Sequence, residues 1–168
     1  MANENDLAIS VVICTYNRDK FIGEALKCLA KQTMAPDLFE IIVVDNNSTD
    51  NTSFITKKFI ENNPGINARY VFESNKGLSF ARNRGIKEAQ SPIISFIDDD
   101  AEAAPNFLQN IVGFFEANNT VVGIGGRVIP KYTESKEPEW MSKYLNGFVG
   151  LMNFGELPKR FEGKMKYP

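Results

Sequence analysis

Ile93–Asp100, with the sequence Ile-Ile-Ser-Phe-Ile-Asp-Asp-Asp, joins five mostly apolar residues directly to three carboxylates. The Ser91-Pro92 break before it and its apolar composition predict a strand buried on both faces, as in a parallel sheet. Adjacent carboxylates repel one another and are costly to bury, so they require solvent or a cation beside them. In open α/β sheets, ligands bind at the carboxyl ends of strands. The stretch predicts a strand-end site for a divalent cation, with an acidic, solvated turn as the alternative.

Strand and helix patterns alternate on both sides of this stretch. Strands are predicted at Leu7–Cys14, Glu40–Val44, Ala68–Phe72, Ile93–Ile97 and Val121–Ile129. The first helix is predicted at Asp19–Gln32, with Asn17 as its N-cap, and the second begins at the cap Ser48-Thr49-Asp50 and ends at Asn63. The third helix is predicted after the turn Asn75-Lys76-Gly77, and the fourth begins at Pro105. The first helix is expected to place Phe21, Ile22, Ala25, Leu26 and Leu29 on one apolar stripe. The second is expected to turn Phe54, Ile55 and Phe59 inward, and the third carries Leu78, Ala81, Ile86 and Ala89. This order predicts an α/β fold with a parallel sheet and helices on both faces.

The composition is that of one ordinary globular domain. The chain has 168 residues, 43% of them hydrophobic and 24% charged, and a formal charge of −2, which gives no long-range attraction to nucleic acid. We find neither the roughly 20 apolar residues of a membrane span nor a basic amino terminus, so we expect a cytoplasmic protein. Basic residues between Lys159 and Lys166 allow peripheral contact with a membrane surface. Cys14 and Cys28 are expected to be small buried hydrophobic residues.

The sequence contains no histidine. A Ser-His or Cys-His nucleophile is therefore excluded, and a zinc site would have neither histidine nor clustered thiolates. Any metal must be held by oxygen atoms, which indicates magnesium, manganese or calcium. A general base would have to be Asp, Glu, Lys or Tyr.

Polar clusters follow the predicted strands. Thr15–Arg18, Asp45–Ser48 and Asp98–Asp100 each come directly after a strand, and Asn75–Gly77 comes shortly after another. Parallel strands place their carboxyl ends at one edge of the sheet, so we expect these clusters to converge. Convergence is a stronger signal than any one motif.

Four stretches resemble the successive motifs of family 2 glycosyltransferases. They are Val12–Arg18, Ile42–Asp50, Asn75–Asn83 and Phe96–Asp100, and the resemblance covers about residues 8 to 130 in the correct order. It implies the GT-A fold, a Rossmann-like three-layer α/β/α sandwich with a mostly parallel sheet. It also implies metal-assisted transfer of a sugar, with inversion, from a nucleotide-diphosphate donor to an acceptor hydroxyl. The donor would be a UDP-sugar on family grounds, and the pathway synthesis of a cell-surface polysaccharide or glycan.

The resemblance assigns roles to individual residues. Asp45 would accept a hydrogen bond from a pyrimidine N–H, the alternative being a cap of the Ser48-Thr49 turn. Asp98 would approach the ribose, and Asp100, with Asp98, would bind Mn²⁺ or Mg²⁺ at the diphosphate, with Asp99 assisting or facing water. The remaining substrate-binding candidates are Thr15, Tyr16, Asn17, Arg18, Asn75, Lys76, Gly77, Ala81, Arg82 and Asn83. Arg82 and Asn83 would lie near ribose or diphosphate unless they form an exposed helix face, and Lys76 would face phosphate or a solvated turn.

The alternation of strand and helix patterns ends at Pro130. We divide the chain into a nucleotide-sugar-binding core at residues 1–130 and the start of an acceptor-side region at residues 131–168, with a weak helix around Glu137 to Leu145. In this family the catalytic base lies well downstream of the aspartates, so we expect it beyond Pro168 and expect the chain to be truncated. Apolar residues left uncovered would then favour self-association.

Two other readings are weighed against an active transferase. One is a non-catalytic nucleotide-sugar-binding module, or an inactive fragment that lacks the base. The other is an aspartate-rich phosphoaspartyl receiver or phosphatase. Those proteins carry key aspartates at the end of the first strand, where this chain has Thr15-Tyr16, which makes the last reading the weakest.

Overall fold

The computed structural model describes residues 7–132, 140–142, 151, 152, 155 and 159. The chain divides into two compact units, Met1–Thr120 and Val121–Pro168. Within the described residues of the first unit, strands and α-helices alternate. Their order is β1 (Ile9–Thr15), α1 (Ile22–Ala30), β2 (Phe39–Asp45), α2 (Thr52–Asn62), β3 (Ala68–Phe72), α3 (Leu78–Glu88), β4 (Ile94–Asp98) and α4 (Phe107–Ala117), with a short 3₁₀ turn at Pro36–Leu38 before β2.

The four strands form one parallel sheet in the order β3-β2-β1-β4. After β3 the chain crosses back through α3 and places β4 beside β1, which leaves β1 and β2 in the centre, where apolar residues on both faces are needed. The sequences of β1 and β2 supply them, and all seven residues of β2 are buried. The predicted α/β fold with a parallel sheet is confirmed.

Alternate residues of the strands pack against different helices. Ile9, Val11 and Ile13 of β1 join a core with side chains from α1 and α4, including Leu26 and Leu108. The opposite face packs against α3 through a second cluster, which contains Val12, Ile42, Val44, Val71 and Ala81. These two cores make the three layers, because the side chains of a strand point alternately to its two faces.

A buried ion pair joins the strands at their amino ends. The Glu40 carboxylate accepts hydrogen bonds at Oε1 from the Ser10 hydroxyl at 2.6 Å and from the Gln90 N–H at 2.8 Å. Its Oε2 lies 3.0 Å from Arg69 Nη2, and Arg69 also donates to the Glu88 carbonyl. A charge in a buried strand is thereby paired, and the loop after α3 is fixed to the sheet.

The first helix begins later than predicted. It starts at Ile22, and its N-cap position is held by Phe21, so the prediction of Asn17 as N-cap was wrong. Asn17 instead adopts a left-handed conformation with φ of 53°. The backbone of residues 17–19 donates hydrogen bonds to side chains of the loop after β2, which stops it from joining the helix.

Phe21, expected on the apolar stripe of the first helix, and Phe54, expected to face inward, both lie on the surface. Leu78 and Ile86 of α3 are exposed as well. Phe54 is 63% exposed in the first turn of α2, and the Lys58 ammonium lies 5.8 Å from its ring centroid. The buried face of α2 has Thr52 and Thr56 at its fully buried positions, with Ile55 and Phe59 packed against the core, and Phe54 does not lie on this face.

The strand predicted at Val121–Ile129 is not formed. In the second unit, the described residues contain only an isolated antiparallel bridge, in which Val128 and Met152 exchange two backbone hydrogen bonds of 3.0 Å. Three glycines in this stretch weaken its tendency to form a strand. Most of the weak helix expected around Glu137 to Leu145 lies outside the described residues. Within the described part of the chain, no helix is long and apolar enough to cross a bilayer.

The closest packing of α3 on the sheet occurs at a glycine. A Cβ added to Gly85 would overlap the Cγ1 methyl group of Val12. We expect Gly85→Ala to lower the free energy of unfolding by about 1–3 kcal/mol despite the higher helix propensity of alanine. Gly113→Ala on α4 is the matched control, because no described atom lies within 4 Å of its added Cβ. The free energy of unfolding of the control should rise by about 0.5–1 kcal/mol. Urea unfolding measures both, and equal effects would contradict the close packing.

The ion pair at the amino ends gives a second stability prediction. Glu40→Gln should lower the free energy of unfolding by about 3 kcal/mol, because it leaves the Arg69 charge without its partner. Glu61→Gln, at an exposed position of α2, should change it by less than about 0.5 kcal/mol. The two variants are compared by urea unfolding, and a loss in Glu40→Gln no larger than that of the control would refute the role of the pair.

Candidate nucleotide-sugar site

The parallel register brings three of the predicted clusters together at the carboxyl edge of the sheet. Thr15 of β1 pairs with Asp45 of β2, and Cys14 pairs with Asp98 of β4. Neighbouring strands lie about 4.8 Å apart. Residues separated by more than 80 positions in the chain therefore meet at one edge, as predicted.

The fourth cluster, Asn75–Gly77, is fixed to the same edge by Asn46. The Asn46 amide donates to the Asn75 carbonyl at 2.6 Å, and its oxygen accepts from the Gly77 N–H at 2.7 Å. Gly77 has φ of 136°, a conformation open mainly to glycine. Asn46 thus connects the end of β2 to the start of α3, a positioning role that the sequence analysis did not assign.

The loops after β1 and β2 are joined by hydrogen bonds between backbone and side chains. The Asn17 N–H donates to Ser48 Oγ at 2.9 Å, and the Thr49 N–H donates to Asn17 Oδ1 at 2.8 Å. The Arg18 N–H donates to Thr52 Oγ1 at 2.9 Å. The backbone N–H and the side-chain oxygen of Asn17 are thus both bonded to the loop after β2, so Asn17 contributes to the scaffold of the site.

Asp45 lies beneath the surface and is 1% exposed. Its carboxylate accepts from the Ser48 N–H at 2.8 Å, which is the turn-capping role given above as the alternative. It also accepts from the Tyr70 hydroxyl at 2.7 Å. Burial of the hydroxyl, together with the bond to Asp45, raises the pKa of Tyr70. Tyr70 was not predicted; it is the central residue of β3, and its hydroxyl is the feature of the sequence that could have identified it.

The three aspartates have different surroundings. Asp98 and Asp100 are exposed, whereas Asp99 is 7% exposed, so the prediction that Asp99 could face water was wrong. Burial raises the pKa of Asp99, and the Thr15 hydroxyl and Arg18 oppose this. Arg18 Nε lies 3.6 Å from Asp99 Oδ1, and Arg18 Nη2 lies 4.0 Å from Asp100 Oδ2. The turn of the chain after β4 leaves only the outer two carboxylates open to solvent.

A cavity of about 320 Å³ opens between the ends of β1 and β2 and the start of α3. Its wall consists of Cys14, Thr15, Tyr16, Asn46, Lys76, Gly77, Leu78 and Ala81. Lys76 Nζ lies 3.3 Å from the Tyr16 hydroxyl and 5.3 Å from its ring centroid. All eight residues lie in the motif stretches, and five of them are predicted substrate-binding residues: Thr15, Tyr16, Lys76, Gly77 and Ala81. The wall offers an aromatic ring, a cation and apolar groups.

Two predicted residues lie on the outer side of α3. Arg82 and Asn83 are exposed, and the Arg82 guanidinium lies 5.9 Å from the ring centroid of Phe96. This is the exposed helix face that the sequence analysis kept as their alternative. Arg82 nevertheless acts on the cavity wall, because its charge lowers the pKa of the Cys14 thiol. Burial has the larger effect and raises that pKa to about 11.

The oxygen ligands at this edge suit a hard divalent cation. Among the described residues, no three His, Cys, Asp or Glu side chains converge on one point as a metal-binding group. Magnesium and similar ions are commonly held by one or two carboxylates together with the phosphates of a substrate. The exposed Asp98 and Asp100 fit that arrangement.

Comparison with known proteins finds relatives of this chain. The family profile described as glycosyl transferase family 2 matches residues 10–164. The chain is 37% identical over 106 residues to validoxylamine A glucosyltransferase of Streptomyces hygroscopicus subsp. limoneus, covering 62% of this chain and 23% of that protein. It is 30% identical over 131 residues to the poly(ribitol-phosphate) beta-N-acetylglucosaminyltransferase TarS of Staphylococcus aureus, covering 74% of this chain and 23% of that protein.

Solved structures extend the likeness to the fold. TarS residues 1–349 in complex with UDP-GlcNAc match with a TM-score of 0.59 at 30% identity, covering 73% of this chain and 37% of that one. The mannosyltransferase PcManGT of Pyrobaculum calidifontis, in complex with GDP-Man and Mn²⁺, matches with a TM-score of 0.63 at 29% identity, covering 67% and 33%. The chain thus spans less than half the length of these relatives. It has the GT-A fold and belongs to glycosyl transferase family 2.

Proposed function

We propose that this chain binds the nucleotide-diphosphate-sugar donor of a glycosyltransferase. The observation that carries the proposal is the cavity bounded by Thr15, Tyr16 and Lys76, which opens at the strand edge where Asp98 also ends its strand. A ring such as Tyr16 provides a stacking surface for a base, and a lysine suits a phosphate. The solved relatives in complex with UDP-GlcNAc and GDP-Man support a donor of this class.

The proposed division of labour follows the strand ends. Thr15, Tyr16, Asn75, Gly77 and Ala81 would surround the base and ribose, and Asn17, Asp45 and Asn46 would hold that wall in shape. Lys76 would face phosphate. Arg18, Arg82 and Asp99 would adjust the charge around the diphosphate, and Asn83 would lie near the ribose or diphosphate. Asp45 would contact a pyrimidine N–H only through lone pairs left by Ser48 and Tyr70, since a carboxylate accepts up to about four hydrogen bonds.

A divalent cation, Mn²⁺ or Mg²⁺, would be held by Asp100 and Asp98. When bound, it would neutralise the charge that develops on the departing diphosphate. The structure with GDP-Man and Mn²⁺ supports a cation in this class of site.

The acceptor and the stereochemistry complete the proposal. The sugar would pass to an acceptor hydroxyl with inversion, and the acceptor would be a cell-surface polysaccharide or glycan. The name of the relative TarS refers to poly(ribitol-phosphate), which supports a polymeric acceptor. A cytoplasmic location belongs to the same proposal. The alternative is a non-catalytic donor-binding module, or an inactive fragment that lacks the catalytic base.

Nucleotide binding tests the proposal directly. Calorimetric titration with UDP, GDP and dTDP, with and without Mn²⁺, should show Mn²⁺-dependent binding of one nucleotide, and Asp100→Ala should weaken it at least about ten-fold. Asp37→Ala, which removes an exposed carboxylate from the 3₁₀ turn, is the matched control and should leave it unchanged. Absence of binding to all three nucleotides would contradict a donor site, and sugar transfer by the chain itself would exclude the non-catalytic alternative.

The Cys14 thiol gives a second readout of the cavity. Because burial raises the pKa of its thiol to about 11, only about one thiol in a thousand is ionised at pH 8, and alkylation should be slow. In a Cys28→Ser variant, the alkylation rate should rise about ten-fold per pH unit from pH 7 to 9.5, without the levelling near pH 9 that an ordinary thiol shows. Saturating nucleotide should slow the reaction. A plateau below pH 9, or no protection by a nucleotide that binds, would contradict the assignment of Cys14 to the cavity wall.

A further inference from the structure

We infer that Arg18 is the internal counter-ion of the strand-end aspartates and that a divalent cation must displace it from Asp100 in order to bind. The inference rests on the proposed function, because the cation is the one proposed to hold the diphosphate. It gives Arg18 a role different from contact with base or ribose.

The contacts that carry the inference join one cation to two of three adjacent carboxylates. Arg18 Nε is 3.6 Å from Asp99 Oδ1, and its Nη2 is 4.0 Å from Asp100 Oδ2. Asp99 is nearly buried, so its charge needs a partner within the protein. Asp100 has an exposed side chain at 49%, and it is the carboxylate that a solvent-borne ion can reach.

The Arg18 side chain can exchange one ionic partner for another without a change in the fold. Its backbone N–H is bonded to the hydroxyl of the fully buried Thr52, so its position in the chain is fixed. Its side chain is 46% exposed, so solvent reaches the guanidinium. The guanidinium lies 5.6 Å from the ring centroid of Phe21, which stays at the surface at the start of α1. The ring gives the guanidinium a second contact that does not involve Asp100.

Competition follows from the charges. A divalent ion and the guanidinium both need oxygen atoms of Asp100, and placing both cations there adds repulsion between them. A diphosphate gives Arg18 a new anionic partner, since a guanidinium matches phosphate oxygens well. Nucleotide should therefore raise the affinity for the metal, and the metal should raise the affinity for nucleotide by the same factor.

The test measures Mn²⁺ binding to the full chain without nucleotide, from the electron paramagnetic resonance signal of free Mn²⁺. Arg18→Gln should bind Mn²⁺ about five-fold more tightly than the wild type, the size expected for loss of one partly exposed ion pair. Arg18→Lys keeps the charge and should stay near the wild type. Lys20→Gln removes one positive charge from an exposed position two residues away, and it should also stay near the wild type.

Stability and coupling give readouts that do not depend on activity. Mn²⁺ should raise the melting temperature of Arg18→Gln more than that of the wild type, because in the variant the ion replaces the missing counter-ion. UDP, or whichever nucleotide the wild type binds, should increase the affinity for Mn²⁺ by a smaller factor in Arg18→Gln than in the wild type.

The outcomes separate the inference from the proposed function. If the wild type binds Mn²⁺ together with nucleotide but Arg18→Gln gains no affinity for Mn²⁺ alone, the inference is overturned and the proposed function stands. An equal gain in Lys20→Gln also overturns it, because general electrostatics would then explain the effect. If the wild type binds no Mn²⁺ even with nucleotide, the metal site of the proposed function and the inference fail together.

Discussion

The parallel register of β1 with β2 and β4 is the constraint on which the site depends. It aligns Thr15 with Asp45 and Cys14 with Asp98, so that the loops that follow all leave the sheet at one edge. The register is held because the central strands are apolar on both faces, and a slip of one residue would exchange the side chains of the two cores. The chemistry at the edge is thus fixed by packing that lies beneath it.

Polar residues at this edge divide into two groups. Asn17, Asp45 and Asn46 have their hydrogen-bonding groups committed to neighbouring loops, and they make the edge rigid. Tyr16 and Lys76 line the cavity and contact each other across its mouth. A site of this kind needs both groups, because side chains that bind a ligand are precise only when the loops carrying them are held in place.

Carboxylates at the two ends of the sheet differ in burial and in pairing. At the amino ends, Glu40 is fully buried and paired with Arg69, so its charge serves the fold. At the carboxyl ends, Asp98 and Asp100 are open to solvent and Arg18 only partly balances the aspartates. A carboxylate that is incompletely paired and accessible can take up a cation, whereas one that is enclosed and paired cannot.

The sequence alone determined the order of strands and helices, the parallel sheet and the meeting of the polar clusters. Apolar periodicity along the chain identifies each strand and helix, and the alternation of strands with helices predicts that the strands are parallel. It failed at Phe21 and Phe54, whose exposure depends on where each helix starts and how it sits on the sheet. It also failed at Val121–Ile129, since a strand needs a partner as well as a pattern. Only the tertiary structure decided that Asp99 is buried and that Tyr70 and Asn46 hold the site. These features depend on contacts between residues that are distant in the chain. Such residues are brought together by the fold and not by their spacing in the sequence.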